Sequence, residues 1–175
     1  AASSWLVGSN YGIMSVEVQT LSVCNDRTNA AAAQVIAAGG SADNVISVAY
    51  DGTADASLTA AGPVITANPG VDHWVVYACN DEGVLGATNA LKNAGFETDD
   101  VIAVGLGAYE ACRPWAAGID TGFKAALYIS GVYVGDAAAR ALINSIETGA
   151  PLPPMTVANT TIVDPTTYAD IMPCN

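Results

Sequence analysis

Positive charge is scarce in this chain of 175 residues: five lysines and arginines stand against seventeen aspartates and glutamates, a formal net charge of −12. A field of that sign repels phosphate backbones and anionic lipid, so neither nucleic acid nor a membrane surface is an expected partner. There is one histidine, His73, and the four cysteines Cys24, Cys79, Cys112 and Cys174 form no CxxC or Cys/His cluster. A zinc site of the usual kind therefore lacks ligands, and no metal or cofactor is expected. No run of about 18 apolar residues exists to form a membrane span. Catalytic motifs are missing too. There is no GxSxG and no P-loop, and the lone His73 begins a strand-like run beside Trp74 with no nucleophile in view. Gly105-Leu106-Gly107 lacks the third glycine of a dinucleotide fingerprint. No enzyme is expected. No basic-then-apolar leader opens the chain, so any signal peptide has been removed or was never there. The start at Ala1, Ala2, Ser3 and Ser4 reads as that of a fragment.

What is present is a folding sequence. Half of the residues are hydrophobic and 13% are charged, a balance that excludes disorder and fits one domain. Four cysteines allow two disulfides in three connectivities, and spacing alone does not choose among them. Apolar runs of strand length alternate with helical stretches. Strands are expected at 13–18, 44–50, 73–78, 100–105 and 123–129. Helices are expected at 27–38, 54–66, from Asn80 to Gly95, at 109–116 and at 136–147, the second interrupted at Gly62-Pro63. The tail carries five prolines, one strand-like run at 156–163 and room for one short helix. Strand–helix alternation with short connections implies an α/β fold, three-layer αβα, with a mainly parallel open sheet.

Such sheets bind ligands beyond the carboxyl ends of their strands. Three strand ends offer polar candidates there. Arg27 opens the helix after the first strand, and its rigid fork of donors suits adjacent hydroxyls. Asn80 sits where a strand becomes a helix, able to cap that helix and to donate and accept at once. Tyr109 follows Gly107 at the start of the next helix. The acidic pairs Asp81-Glu82 and Asp99-Asp100 are expected to be helix-end and surface charges. Asn159-Thr160-Thr161 is a formal glycosylation sequon and carries no functional reading.

The run 69–96, PGVDHWVVYACNDEGVLGATNALKNAGF, resembles the matching segment of periplasmic sugar-binding proteins, the arabinose-binding branch above all. The likeness continues through ETDDVIAVGLGAYEA (97–111), TGF (121–123) and 151–168, and upstream through TLSVCNDRTNAAAAQVIAAGG (20–40). It implies the type I periplasmic binding protein fold, in which two α/β lobes clamp a sugar between them. Residues 1–175 then correspond to the C-terminal lobe, the helix within 133–149 belongs to the other lobe, and the N-terminal lobe is missing. The resemblance implies capture of a monosaccharide or short oligosaccharide for an ABC permease. Arg27 and Asn80 would bond sugar hydroxyls, and Tyr109 would offer a ring. It implies a periplasmic or extracellular place, a lipid anchor on the full-length protein being one form of it. Two positions depart from the arabinose-binding pattern: Val23 stands for a threonine and Gly107 for a polar Asn or Asp. LacI-type repressors carry a relative of NDEGVLGA, so a ligand-sensing domain of a repressor or membrane receptor is the alternative. Half a clamp leaves surfaces bare, and self-association is expected.

Overall fold

The computed structural model describes residues 2–8 and 10–174, leaving Ala1, Ser9 and Asn175 outside. A short helix α1 (Ala2–Gly8) precedes β1 (Tyr11–Glu17), α2 (Ser22–Ala37), β2 (Val45–Ala49) and α3 (Ala54–Ala67). Then come β3 (His73–Ala78), α4 (Asp81–Asn93), β4 (Val101–Gly107), α5 (Tyr109–Ala116) and β5 (Phe123–Ile129). Helix α6 (Gly131–Thr148), β6 (Thr160–Val163) and α7 (Tyr168–Ile171) follow. The six strands form one sheet in the order β2-β1-β3-β4-β5-β6, with β1 to β5 parallel and β6 antiparallel to β5.

Alternation along the strands splits the core into two faces. Met14 and Val16 of β1, with Trp74, Val76 and Ala78 of β3, pack with Ala61 and Ile65 of α3 and with Val84, Ala87 and Leu91 of α4. Ile13, Val75 and Tyr77 point the other way, toward Ala31, Ala32 and Val35 of α2. Helices thus cover both faces, the expected three layers.

Small residues set how closely the layers approach. A Cβ at Gly86 of α4 would run into the carbonyl of Ala54 and stand 2.5 Å from Ser57 Cβ and 2.7 Å from Leu58 N on α3. Helix α3 also departs from expectation, since it does not end at Gly62-Pro63 but continues through Pro63 to Ala67. Proline inside a helix costs about 3 kcal/mol, and here α3 is held along α4 by buried Ser57, Ala61 and Ile65. Ser57 also donates its hydroxyl to the carbonyl of Gly83 at 2.6 Å.

Other boundaries moved for local reasons. Helix α2 begins at Ser22, so Arg27 lies in its second turn and does not open it. Helix α6 starts at Gly131, where Ser130 caps it by accepting from the Tyr133 amide. The tail strand shrinks to Thr160–Val163, since only those residues pair with β5.

Two disulfides close the fold, Cys24–Cys79 and Cys112–Cys174, with sequence separations of 55 and 62. Loops of that length give about 4 kcal/mol each in the chain-entropy account. The second ties the C-terminal segment to α5, where Trp115 also meets the ring of Tyr168 at 5.6 Å. Helix α6 is different: none of its residues is buried, and Val132 and Ile146 are 80% and 81% exposed.

Gly86→Ala tests the helix contact. Overpacking at this point is expected to cost about 1–3 kcal/mol in urea unfolding, and an unchanged midpoint would show that α3 and α4 can separate freely.

Candidate functional site

Because β1 to β5 run parallel, their carboxyl ends share one edge. Asn80 stands there between β3 and α4, in extended conformation, and caps α4. Its Oδ1 accepts from the Gly83 amide at 2.9 Å and from the Tyr50 hydroxyl at 2.5 Å, while its Nδ2 donates to the Gly52 carbonyl at 3.1 Å. An amide has two N–H donors and one oxygen with two lone pairs. Asn80 therefore keeps a single N–H for a ligand, and its acceptor capacity is already used. These bonds make Asn80 the cap of α4 and leave a donor as the group it could still offer.

Tyr50 carries no signal in the sequence that marks it for this edge. It ends the stretch that forms β2, and its hydroxyl pKa is pushed up to about 12, by burial first and by the charge of Glu82 second. It stays neutral and donates. Gly83 leaves room for it, since a Cβ there would stand 2.7 Å from the Tyr50 hydroxyl and 2.7 Å from Ala78 Cβ.

Arg27 is half-buried on α2 and donates from Nη1 to the Cys79 carbonyl at 3.0 Å. It forms no ion pair among the described residues, so the remainder of its donor fork is open. Arg27 and Asn80 are thus joined through adjacent residues, Cys79 and Asn80. The Cys24–Cys79 bridge lies at the same junction.

Tyr109 stands apart from that pair. It is 45% exposed, donates its hydroxyl to the Ile129 carbonyl at 3.2 Å, and meets Tyr128 edge-on at 5.8 Å. Its link to Asn80 runs through Asp81, whose Oδ2 accepts from the Glu110 amide at 3.2 Å. Ala108, at φ 69°, precedes α5 without a capping side chain, and Asp81 supplies the cap from the neighbouring helix.

Asp81 is also a correction. Expected among surface charges, it is 2% exposed. Its Oδ1 has no hydrogen-bond partner among the described residues and lies against Gly105, where a Cβ would collide with it. Gly107, at φ +129°, adopts a conformation suited to glycine beside the same carboxylate. Gly105 therefore makes room for Asp81, while Gly107 is required by its backbone conformation, and neither needs a phosphate ligand to explain it. Val23 is 52% exposed at the start of α2, an apolar surface where a threonine was the comparison. His73 lies at the other end of β3, stacked on Trp5 at 4.5 Å with Nδ1 3.1 Å from Asp100. Among the described residues no group of three His, Cys, Asp or Glu could hold a metal.

No family model matches the chain. It is similar to an ABC transporter L-arabinose-binding periplasmic protein of Azospirillum brasilense, 34% identical over 125 residues, which are 70% of this chain and 37% of that protein. The chain thus spans little more than a third of the relative's length. Among solved structures it resembles a periplasmic ribose ABC transporter protein from Conexibacter woesei, with TM-score 0.73 at 20% identity over 98% of this chain and 57% of the other. A LacI family transcriptional regulator from Arthrobacter sp. FB24 shares the fold at TM-score 0.67 and 20% identity, over 93% of this chain and 58% of the other.

Burial raises the Asp81 pKa from 3.8 to about 6; the Glu110 and Ala111 amides oppose this, while the charges of Glu82 and Glu110 add to it. Folded protein then holds this proton in a range where unfolded chain has released it, so the contribution to stability falls as pH rises from about 4 to about 6. A change of that size is on the order of 2–3 kcal/mol. Asp81→Asn is expected to flatten the fall in melting temperature between pH 4.5 and 7, and equal slopes in both proteins would refute the assignment.

Proposed function

We infer that this chain, which belongs to the type I periplasmic sugar-binding protein family, is the C-terminal lobe of a solute-binding protein that captures a sugar for an ABC importer without catalysis. The observation that carries this reading is the pairing of Arg27 and Asn80 through Cys79 at the carboxyl edge of a parallel sheet. Both present donors only, the open part of the Arg27 fork and one N–H of Asn80, so the ligand would offer hydroxyl or ring oxygens as acceptors there. Acids stand at the same edge: Glu17 ends β1, Asp51 and Glu82 raise the pKa of the Tyr50 hydroxyl that bonds Asn80, and Asp81 opens α4, a setting that favours a neutral polyol over an anion. Tyr109 would offer its exposed ring to a sugar face, held by its bond to Ile129.

Closure of a second lobe over this edge would complete the site. Helix α6 supports that arrangement: Val132, Tyr133, Leu142, Ile143 and Ile146 are exposed on a helix with no buried residue, as expected of a segment made to pack on the absent lobe. A sensor domain of a LacI-type regulator or a membrane receptor is the second reading, because the fold is shared. The two disulfides favour the exported protein, since cytosolic thiols are kept reduced.

Calorimetry of the complete two-lobed protein against a panel of monosaccharides and short oligosaccharides tests the function. Arg27→Ala is expected to weaken binding at least tenfold, the loss of a charge-assisted bond of about 1.5–3 kcal/mol. Failure of every sugar to bind, or an unaltered affinity in the variant, would reject the site. The isolated 175-residue chain is expected to self-associate through α6, and light scattering that shows a monomer across concentration would remove that role from the helix.

A further inference from the structure

We propose that the Cys24–Cys79 disulfide is a positioning element of the ligand site, fixing Arg27 and Asn80 relative to each other, whereas Cys112–Cys174 serves only the C-terminal segment. The proposal rests on the reading of Arg27 and Asn80 as ligand partners. Three features of the structure support it.

The first is the weak attachment of α2. Only Cys24 and Thr28 are buried along its sixteen residues, and Leu21 gives its first turn no side-chain cap. The Thr28 hydroxyl spends its bonds within the helix, on the carbonyls of Cys24 and Asn25. The covalent bond from Cys24 is thus the main tie between this end of α2 and the sheet. Arg27 lies three residues on, a spacing that puts it on the same side of the helix as Cys24.

The second is where the bridge lands. Cys79 is the last residue before Asn80, and its own amide continues the sheet by donating to Val16 at 3.2 Å. Its carbonyl is the acceptor for Arg27. One residue therefore holds the sulfur bridge, the guanidinium contact and the start of the capping asparagine.

The third is what packs around the sulfurs. Cys24 and Cys79 form a small cluster with Val18, and the Tyr50 ring lies against it. Tyr50, together with the Gly83 amide, fills the acceptor capacity of Asn80 Oδ1 and so helps to fix the orientation of that amide. Opening the bridge would loosen Tyr50 and Arg27 together. By contrast, the other disulfide joins α5 to Cys174 beside Trp115 and Tyr168, and it touches neither Arg27 nor Asn80.

The test compares two double variants of the complete protein, Cys24→Ala with Cys79→Ala and Cys112→Ala with Cys174→Ala. Both should lower the melting temperature. Only the first should weaken sugar binding, by tenfold or more, with the second within twofold of the parent. Equal effects on affinity, or none from the first pair, would overturn the proposal. If the first variant does not fold, the second is titrated with and without reductant, since in it only the Cys24–Cys79 bridge can open, and the same tenfold loss is expected. If the parent binds no sugar, the functional reading fails by itself. The positioning claim is then judged by NMR of the Asn80 side-chain amide and the Arg27 guanidinium. Those signals should shift or broaden on loss of the first bridge and hold on loss of the second, and unchanged signals would overturn it.

Discussion

The side-chain amide of Asn80 fastens three segments at once, because it caps α4 at Gly83, accepts from Tyr50 at the end of β2, and donates to the Gly52 carbonyl in the loop that follows. Parallel strands need long crossovers, so their carboxyl ends arrive at the edge from distant parts of the chain and must be locked there. Asn80 locks β2 to β3. Arg27 and the adjacent disulfide lock α2 to the same point. The polar edge is therefore held in place by bonds within the chain.

Close approach makes that arrangement possible. Gly83 admits the Tyr50 hydroxyl, Gly86 lets α3 lie on α4, and Gly105 accommodates the Asp81 carboxylate. Each of these glycines removes a Cβ where a polar or backbone group needs the space. Asp81 in turn caps α5 and so carries the order of the Asn80 junction toward Tyr109. The edge forms one connected polar network on an apolar sheet.

Much of the architecture was legible in order. His73–Ala78, Tyr109–Ala116 and Phe123–Ile129 have the bounds that pattern alone gives them, and Asn80 caps α4 as its place after an apolar strand implied. The misplaced elements are those governed by distant contacts. Gly62-Pro63 reads as a point where the helix kinks or ends, yet α3 runs on to Ala67, with Ala61 and Ile65 on either side of Pro63 buried in the core. The beginning of α2 is obscured by Leu21, Ser22 and Val23, which carry no helical start signal beyond Ser22 itself. Asp81 reads as a first-turn acid facing solvent, and nothing in its neighbours reveals that α5 folds over it.

The sequence by itself determined the alternation of strands and helices, the parallel sheet and the edge at which Arg27 and Asn80 would lie, since hydrophobic period, caps and turn residues are local properties. Only the tertiary structure decided which cysteines pair, how many donors Asn80 keeps, and that Asp81 is buried while α6 is bare. The physical reason is common to all four. A disulfide, a saturated amide and a buried carboxylate each depend on a partner brought from elsewhere in the chain, and the bareness of α6 likewise depends on which segments the fold brings against it.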